Sequence, residues 1–297
     1  MSHRAPVIVV HGGAGGHNAG ADSFAYIEAV EAALDHGAAA LKDGARAAVL
    51  AAVTYMEKDT ILNAGRGATL DAEGNVALDA GFMDGASRRF GAVGGVTRTP
   101  TPILLAERLS GDGEFGRFLA GAAANARLED YGIERCEPAD LVTRRARRAW
   151  AERTSERRAR PADTVGAVAL DAAGNLAAAV STGGVSFKPA GRIGDSCVVG
   201  AGFWAENGRG ACVTSGVGEA MLREGTARRA VRLIGNSMST TNACLQALGE
   251  LADERSRPPC GLILLSSEGE LAIAHSSEEM PAGYARVGTP PVVHGRW

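Results

Sequence analysis

Only three lysines, Lys42, Lys58 and Lys188, occur among the 31 basic residues of this 297-residue chain. The signatures of several common enzyme classes are also missing. The five cysteines, Cys136, Cys197, Cys212, Cys244 and Cys260, lie far apart without a CxxC pair. That argues against a zinc ribbon or a thioredoxin-type site and fits reduced thiols in a cytosolic protein. The six histidines, His3, His11, His17, His36, His275 and His294, form neither HExxH nor an i,i+4 pair, which argues against a zinc hydrolase. No GxSxG nucleophile elbow is present, and the GDS at Gly194–Ser196 has no Asp-x-x-His partner after it. The glycine loop VVHGGAGGHNAG fails the dinucleotide-binding template, because counting from Gly13 the last glycine falls on Asn18. No apolar run approaches the roughly 20 residues of a membrane span, and the run before His11 is too short for a signal-peptide core. A net charge of −3 gives no reason to expect nucleic acid or an anionic membrane as partner. The expectation is a cytoplasmic protein that acts on a small molecule and requires no cofactor.

What is abundant is glycine, 40 residues of it, which foretells many tight turns and close backbone approaches. The chain is long enough to bury a substantial core. Residues 6–11 read as a buried strand entering a glycine loop. Residues 22–36 and 44–57 carry apolar residues at helical spacing. Short strands and Asp/Asn/Gly turns alternate over 62–85. Helices are expected over 101–109, 115–128, 218–234 and 238–254. Strands are expected near 164–171, 175–181, 197–202, 210–214, 261–266 and 270–275. Helices and strands fall in groups rather than in strict alternation, so the fold reads as a layered α+β sandwich and not a doubly wound sheet. From about 133 to 163, arginines crowd a segment with few apolar residues, which reads as a mobile linker.

Immediately after that segment, Asp163-Thr164 opens a clean apolar strand. A threonine opening a strand is ordinary. A chain cut between Asp163 and Thr164, however, would leave Thr164 with a free α-amine beside its own hydroxyl. Such an amine has a pKa near 8 in model peptides, so it could serve as the general base for that hydroxyl without any histidine. The arginine-rich segment would give the new end room to retract, and the strand would hold the nucleophile firmly.

The motifs VHGGAG, LNAGRGA…MDG, DTVGAVALD, STGG, GRIGDS and SGVGE occur in that order. Together they resemble the plant-type (type III) L-asparaginase / isoaspartyl aminopeptidase family of N-terminal-nucleophile hydrolases, over roughly residues 6–275. The resemblance implies a four-layer αββα sandwich made of a 1–163 part and a 164–297 part, joined in one composite domain. It implies self-cleavage after Asp163 and catalysis by Thr164, with Thr182 and Asn63 beside it. Arg192 and Asp195 would grip a substrate's α-carboxylate and α-ammonium, with Gly218 lining that site. Ser215 and Gly216 would form an oxyanion hole. Backbone carbonyls of Met56, Glu57, Asp59, Leu62, Ala64 and Arg66 would form a sodium-binding loop. The implied substrates are L-asparagine or β-aspartyl dipeptides, and the implied assembly is a homodimer of processed units. A glycosylasparaginase-like enzyme and an unprocessed protein that binds an aspartate-like ligand stay open as alternatives. The chain departs from the family pattern at Ser215, usually threonine, at Cys197, usually proline, and at Phe203-Trp204. These departures are expected to fall at the substrate pocket.

Overall fold

The computed structural model describes residues 5–15, 21–113, 115–153, 163–234, 238–252 and 257–295. Its first half contains β1 (Val7–His11), α1 (Ala21–Ala40), α2 (Ala45–Lys58), β2 (Leu78–Asp84), β3 (Phe90–Val96), α3 (Pro102–Ser110), β4 (Phe118–Ala120), α4 (Gly121–Asp130) and α5 (Arg144–Arg153). After Thr164 come β5 (Val165–Leu170), β6 (Leu176–Thr182), β7 (Phe203–Glu206), β8 (Gly210–Gly216), α6 (Gly218–Glu224), α7 (Thr226–Ile234) and α8 (Thr240–Gly249). The chain closes with β9 (Cys260–Ser266), β10 (Leu271–His275), β11 (Ala282–Arg286) and β12 (Val292–His294).

Two sheets stack face to face. One has the order β12-β11-β1-β5-β6-β2-β3-β4 and the other β10-β9-β8-β7. Val9, Val168, Val180, Phe203, Val213 and Ile263 fill the space between them. Helices α1 to α3 cover the outer face of the large sheet, where Ile8, Val10 and Ala167 meet Val49, Val53 and Leu105. Helices α6 to α8 cover the small sheet, where Leu262 and Leu264 meet Met221, Val231 and Leu248. The result is the expected αββα sandwich. Every residue of β5 and β6 is buried, because both faces of these central strands are covered. That is why their sequences run continuously apolar instead of alternating.

Several expectations need correction. The 115–128 segment is not one helix: Phe118–Ala120 pairs in parallel with β3, and α4 starts only at Gly121, which has φ 55. The expected strand at 197–202 is a 3-10 turn, Asp195–Cys197, and loop, and the strand follows at Phe203. The 218–234 helix is two helices, parted by Gly225 in the left-handed region. Strands β3, β7, β11 and β12 were not anticipated. The largest difference lies in the arginine-rich segment. Residues 133–153 do not form a mobile linker: Leu141 is fully buried, and Arg144–Arg153 is helical. Trp150 anchors this helix. Its ring stacks on Phe187 at 6.2 Å, and its Nε1 donates to the Asp71 carbonyl at 2.9 Å. Leu141, Ala146 and Trp150 supply the buried surface that the arginine count concealed. The remaining residues of that segment, 154–162, lie outside the described residues.

Candidate functional site

Thr164 directly precedes β5, and Thr182 ends β6. The antiparallel register pairs Val165 with Ser181, which places Thr164 across from Thr182. The two hydroxyls meet at 3.2 Å. Both side chains are buried, as are Asp163, Asn63 and Ser215.

The Asp163 carbonyl, which belongs to the peptide bond joining Asp163 to Thr164, accepts two hydrogen bonds. Asn63 Nδ2 donates to it at 2.5 Å and Thr182 Oγ1 at 3.4 Å. Asn63 is itself fully committed: Nδ2 also donates to the Gly184 carbonyl at 2.8 Å, and Oδ1 accepts the Thr69 amide at 2.8 Å. The Thr182 hydroxyl in turn accepts the Gly184 amide at 2.9 Å. On the other side, Ser215 Oγ accepts the Ala14 amide at 2.8 Å and the Thr164 amide at 3.3 Å. The glycine loop after β1 closes over Asp163. A Cβ added at Gly13, whose φ is +118, would collide with the Asp163 side chain, and so would one at Gly15. These glycines are required because the backbone must come this close. His11, at the end of β1, is held by burial at about 3 and is therefore neutral.

A second cluster lies on the turn after β6. Asp195 is buried and accepts a hydrogen bond from Thr214 Oγ1 at 2.9 Å. Burial pushes its carboxyl up to about 6, against the pull of Thr214 and Arg192. Consecutive residues of β8 thus reach both clusters: Thr214 holds Asp195, and Ser215 holds the amide of Thr164. Arg192 forms a two-point ion pair with Glu219, Nε to Oε1 at 2.9 Å and Nη2 to Oε2 at 2.8 Å. Gly218 lies between the two charged side chains. A Cβ added there would come within 2.7 Å of Asp195 Oδ1 and 3.1 Å of Arg192 Nη2.

Some supporting residues were not anticipated. Asp79 Oδ1 accepts the Gly95 amide at 2.9 Å and Oδ2 the Gly194 amide at 3.1 Å, so it pins the turn that carries Arg192 and Asp195. Burial raises its pKa. Lys188 is 1% exposed, with Nζ donating to the Ala77 carbonyl at 2.7 Å. Thr69, Thr214 and Glu219 also escaped notice, because their partners are distant in sequence. Glu219 stood inside the SGVGE motif, which was its only signal.

The departures from the family pattern fall differently than expected. Phe203 enters the core between the sheets, where a Cβ on Gly81 would collide with its ring. Trp204 packs toward the helices beneath the guanidinium of Arg228, 4.7 Å from its centroid. Both side chains belong to cores, not to the substrate pocket. Cys197 is buried, which drives its thiol pKa well above the usual range and makes it inert.

Among the described residues, no group of three or more His, Cys, Asp or Glu side chains could hold a metal. The backbone of the 57–67 loop folds closely on itself. The Leu62 and Asp59 oxygens turn toward Gly67, and the Glu57 oxygen toward Gly65, so closely that a Cβ on either glycine would collide with one of them. These close approaches explain why glycine stands at 65 and 67. No helix among the described residues is long and apolar enough to cross a membrane.

The sequence profile of the family described as Asparaginase matches residues 4–293. The chain is 37% identical to the isoaspartyl peptidase/L-asparaginase of Rattus norvegicus over 93% of its own length and 84% of that protein. It is 38% identical to the mouse protein of the same name, covering 93% and 86%. It is 37% identical to the plant-type L-asparaginase of Pyrobaculum calidifontis, covering 95% and 97%.

Proposed function

The chain belongs to the asparaginase family, and from that premise we propose that it hydrolyses the side-chain amide of L-asparagine or the β-linked bond of β-aspartyl dipeptides, after cutting itself between Asp163 and Thr164. The observation that carries this reading is the Asp163 carbonyl, held by Asn63 and Thr182 beside the Thr164 hydroxyl. Two donors aimed at one peptide oxygen are the arrangement that stabilises an oxyanion forming there.

In the precursor, Thr164 Oγ attacks the Asp163 carbonyl carbon and its proton leaves. The tetrahedral intermediate collapses with cleavage of the C–N bond, and the nitrogen takes up a proton. The result is an ester between Asp163 and Thr164 Oγ, together with a free Thr164 amine. Water then hydrolyses the ester, which frees the hydroxyl and leaves an Asp163 carboxylate. Strand β1 lies between β5 and β11, and β2 pairs with β6. Backbone hydrogen bonds therefore hold the 1–163 and 164–297 pieces together after the cut.

In the mature enzyme the amine near Ser215 accepts the proton of Thr164 Oγ as this oxygen attacks the substrate carbonyl. Ser215 and Gly216 receive the developing charge. The proton passes to the leaving ammonia or amino acid, and water releases aspartate from the acyl-enzyme. Arg192 offers a guanidinium fork to the substrate's α-carboxylate, Asp195 takes the α-ammonium, and Gly218 leaves room between them. A sodium ion would be held by carbonyls of the 56–66 loop, where its charge would brace the segment that carries Asn63. The site takes a small amino acid or dipeptide, and the working form is a homodimer of processed units.

The experiment is intact mass of fresh and aged protein under denaturing conditions, alongside Thr164→Ala. Two fragments meeting at Asp163/Thr164, asparagine or β-aspartyl turnover, and loss of both in the variant are expected. Substantial turnover by Thr164→Ala would refute the mechanism. A preference for glycosylated asparagine would favour the glycosylasparaginase alternative, and ligand binding without cleavage would favour the binding protein.

A further inference from the structure

Outside the residues that hold the nucleophile, the two-point ion pair between Arg192 and Glu219 is the best-formed charged contact near the site. Glu219 is 64% exposed at its side chain, whereas Arg192 is only 13% exposed. An exposed ion pair contributes little to stability, so the geometry asks for another explanation. A guanidinium presents two edges that can grip a carboxylate. Glu219 occupies the Nε–Nη2 edge. The Nη1–Nη2 edge remains for a ligand. Glycines border that edge: a Cβ on Gly194 would lie 3.1 Å from Nη1, and one on Gly218 would lie 3.1 Å from Nη2. The Gly218 position also abuts Asp195 Oδ1, at 2.7 Å. The gap between guanidinium and carboxylate is thus kept open by the residue that directly precedes Glu219. A single turn at the start of α6 clears the space and braces the arginine beside it.

We infer that Glu219 is a positioning residue: by holding the Nε–Nη2 edge of Arg192, it presents the Nη1–Nη2 edge to the α-carboxylate of an aspartyl ligand. This role rests on the proposed function, in which Arg192 takes that carboxylate. An arginine side chain that must be ordered at the moment of binding costs affinity, and pre-ordering removes the cost, on the order of tenfold in Kd for one long side chain.

The test uses the processed wild-type protein with Glu219→Ala and Glu219→Gln. It measures L-aspartate binding by calorimetry and the separate kcat and KM for asparagine. For Glu219→Ala, about a tenfold rise in both Kd and KM is expected, with kcat within about twofold of wild type. Glu219→Gln, which keeps one acceptor oxygen, should fall between. A Kd that is unchanged or tighter would overturn the inference, the tighter value marking Glu219 as a competitor for the arginine. A loss confined to kcat would overturn it too. Wild-type protein that binds aspartate but turns nothing over would refute the proposed function alone, and the Kd ratio would still decide the role of Glu219. Wild-type protein that does neither would overturn both.

Discussion

Replacing Asn63 with aspartate should arrest self-cleavage at neutral pH while leaving the fold intact. The exchange conserves volume at a buried position and keeps Oδ1, which accepts the Thr69 amide at 2.8 Å. What it removes is the amino group that donates to the Asp163 carbonyl at 2.5 Å and to the Gly184 carbonyl at 2.8 Å. An ionised carboxylate in its place would set a negative oxygen against two carbonyl oxygens. Losing one donor to a developing oxyanion typically costs about 10²–10³ in rate, or roughly 3–4 kcal/mol. Thr182 remains as a donor, but its oxygen lies at 3.4 Å, so it compensates weakly. The expected slowing of cleavage is therefore at least about 10²-fold. A protonated aspartic acid can donate once, so cleavage should partly recover when the pH is lowered. The assay is the fraction of cut chain by intact mass against time at two pH values, with circular dichroism as a check on folding. Cleavage of folded Asn63→Asp within about threefold of wild type at neutral pH would refute the assignment of Asn63 to the scissile carbonyl.

Two further predictions follow from the buried carboxyls. Asp195, raised by burial to about 6, must be ionised to take an ammonium. Aspartate binding to the processed protein should therefore weaken about tenfold per unit as pH falls below 6. Thr214→Val, which removes a donor to the ionised form, should move that midpoint upward. Binding that is constant between pH 7 and 5 would count against the role. Glu57 is raised by burial from 4.5 to about 8 and accepts the Ile103 amide at 3.0 Å. Because its folded pKa lies above the unfolded one, its contribution to stability is complete below pH 4.5 and is lost as pH rises toward 8. Glu57→Gln, which keeps the neutral shape, should melt higher than wild type at pH 8 and gain much less at pH 5. A Tm difference independent of pH would contradict this.

A layered α+β sandwich was legible in the sequence because the two kinds of element are grouped in it, whereas the αββα order of the layers came from the family resemblance. The apolar helices 22–36 and 44–57 and the fully apolar runs from 164 and 175 gave the sandwich its interior. What escaped were elements defined by partners. The edge strand Phe118–Ala120 has only three residues and takes its form from pairing with β3. Strands β11 and β12 owe their place to β1, more than 270 residues earlier at the Val7–Arg286 pairing. The arginine-rich segment misled because composition averages over a window. Helix α5 docks through Trp150 on Phe187, with Ala146 against the core and Arg145 on Tyr26, and Phe187 itself takes φ 58, a conformation rare for a bulky residue. No local pattern announces that pairing.

The site was legible to the extent that its chemistry is carried by residues adjacent in sequence. Asp163-Thr164 could be singled out because a free amine and a hydroxyl on one residue form a complete nucleophile–base pair. Arg192 and Asp195 could be paired through the motif they share. Supporting residues have no such signature. Asp79 looks like an unremarkable strand residue until the Gly95 and Gly194 amides are seen to converge on it. The need for glycine at 13 and 15 becomes visible only when Asp163 arrives from about 150 residues away in sequence to lie against them. Phe203 shows the converse. A departure from the family pattern close to GRIGDS reads as a change of pocket, yet the ring fills the space that Gly81 leaves in the core. A motif therefore names the groups proposed to react. Whether a neighbouring difference alters the reaction depends on which side of the strand it faces, and in this sandwich each sheet is packed on both faces, so the sequence pattern alone does not distinguish them.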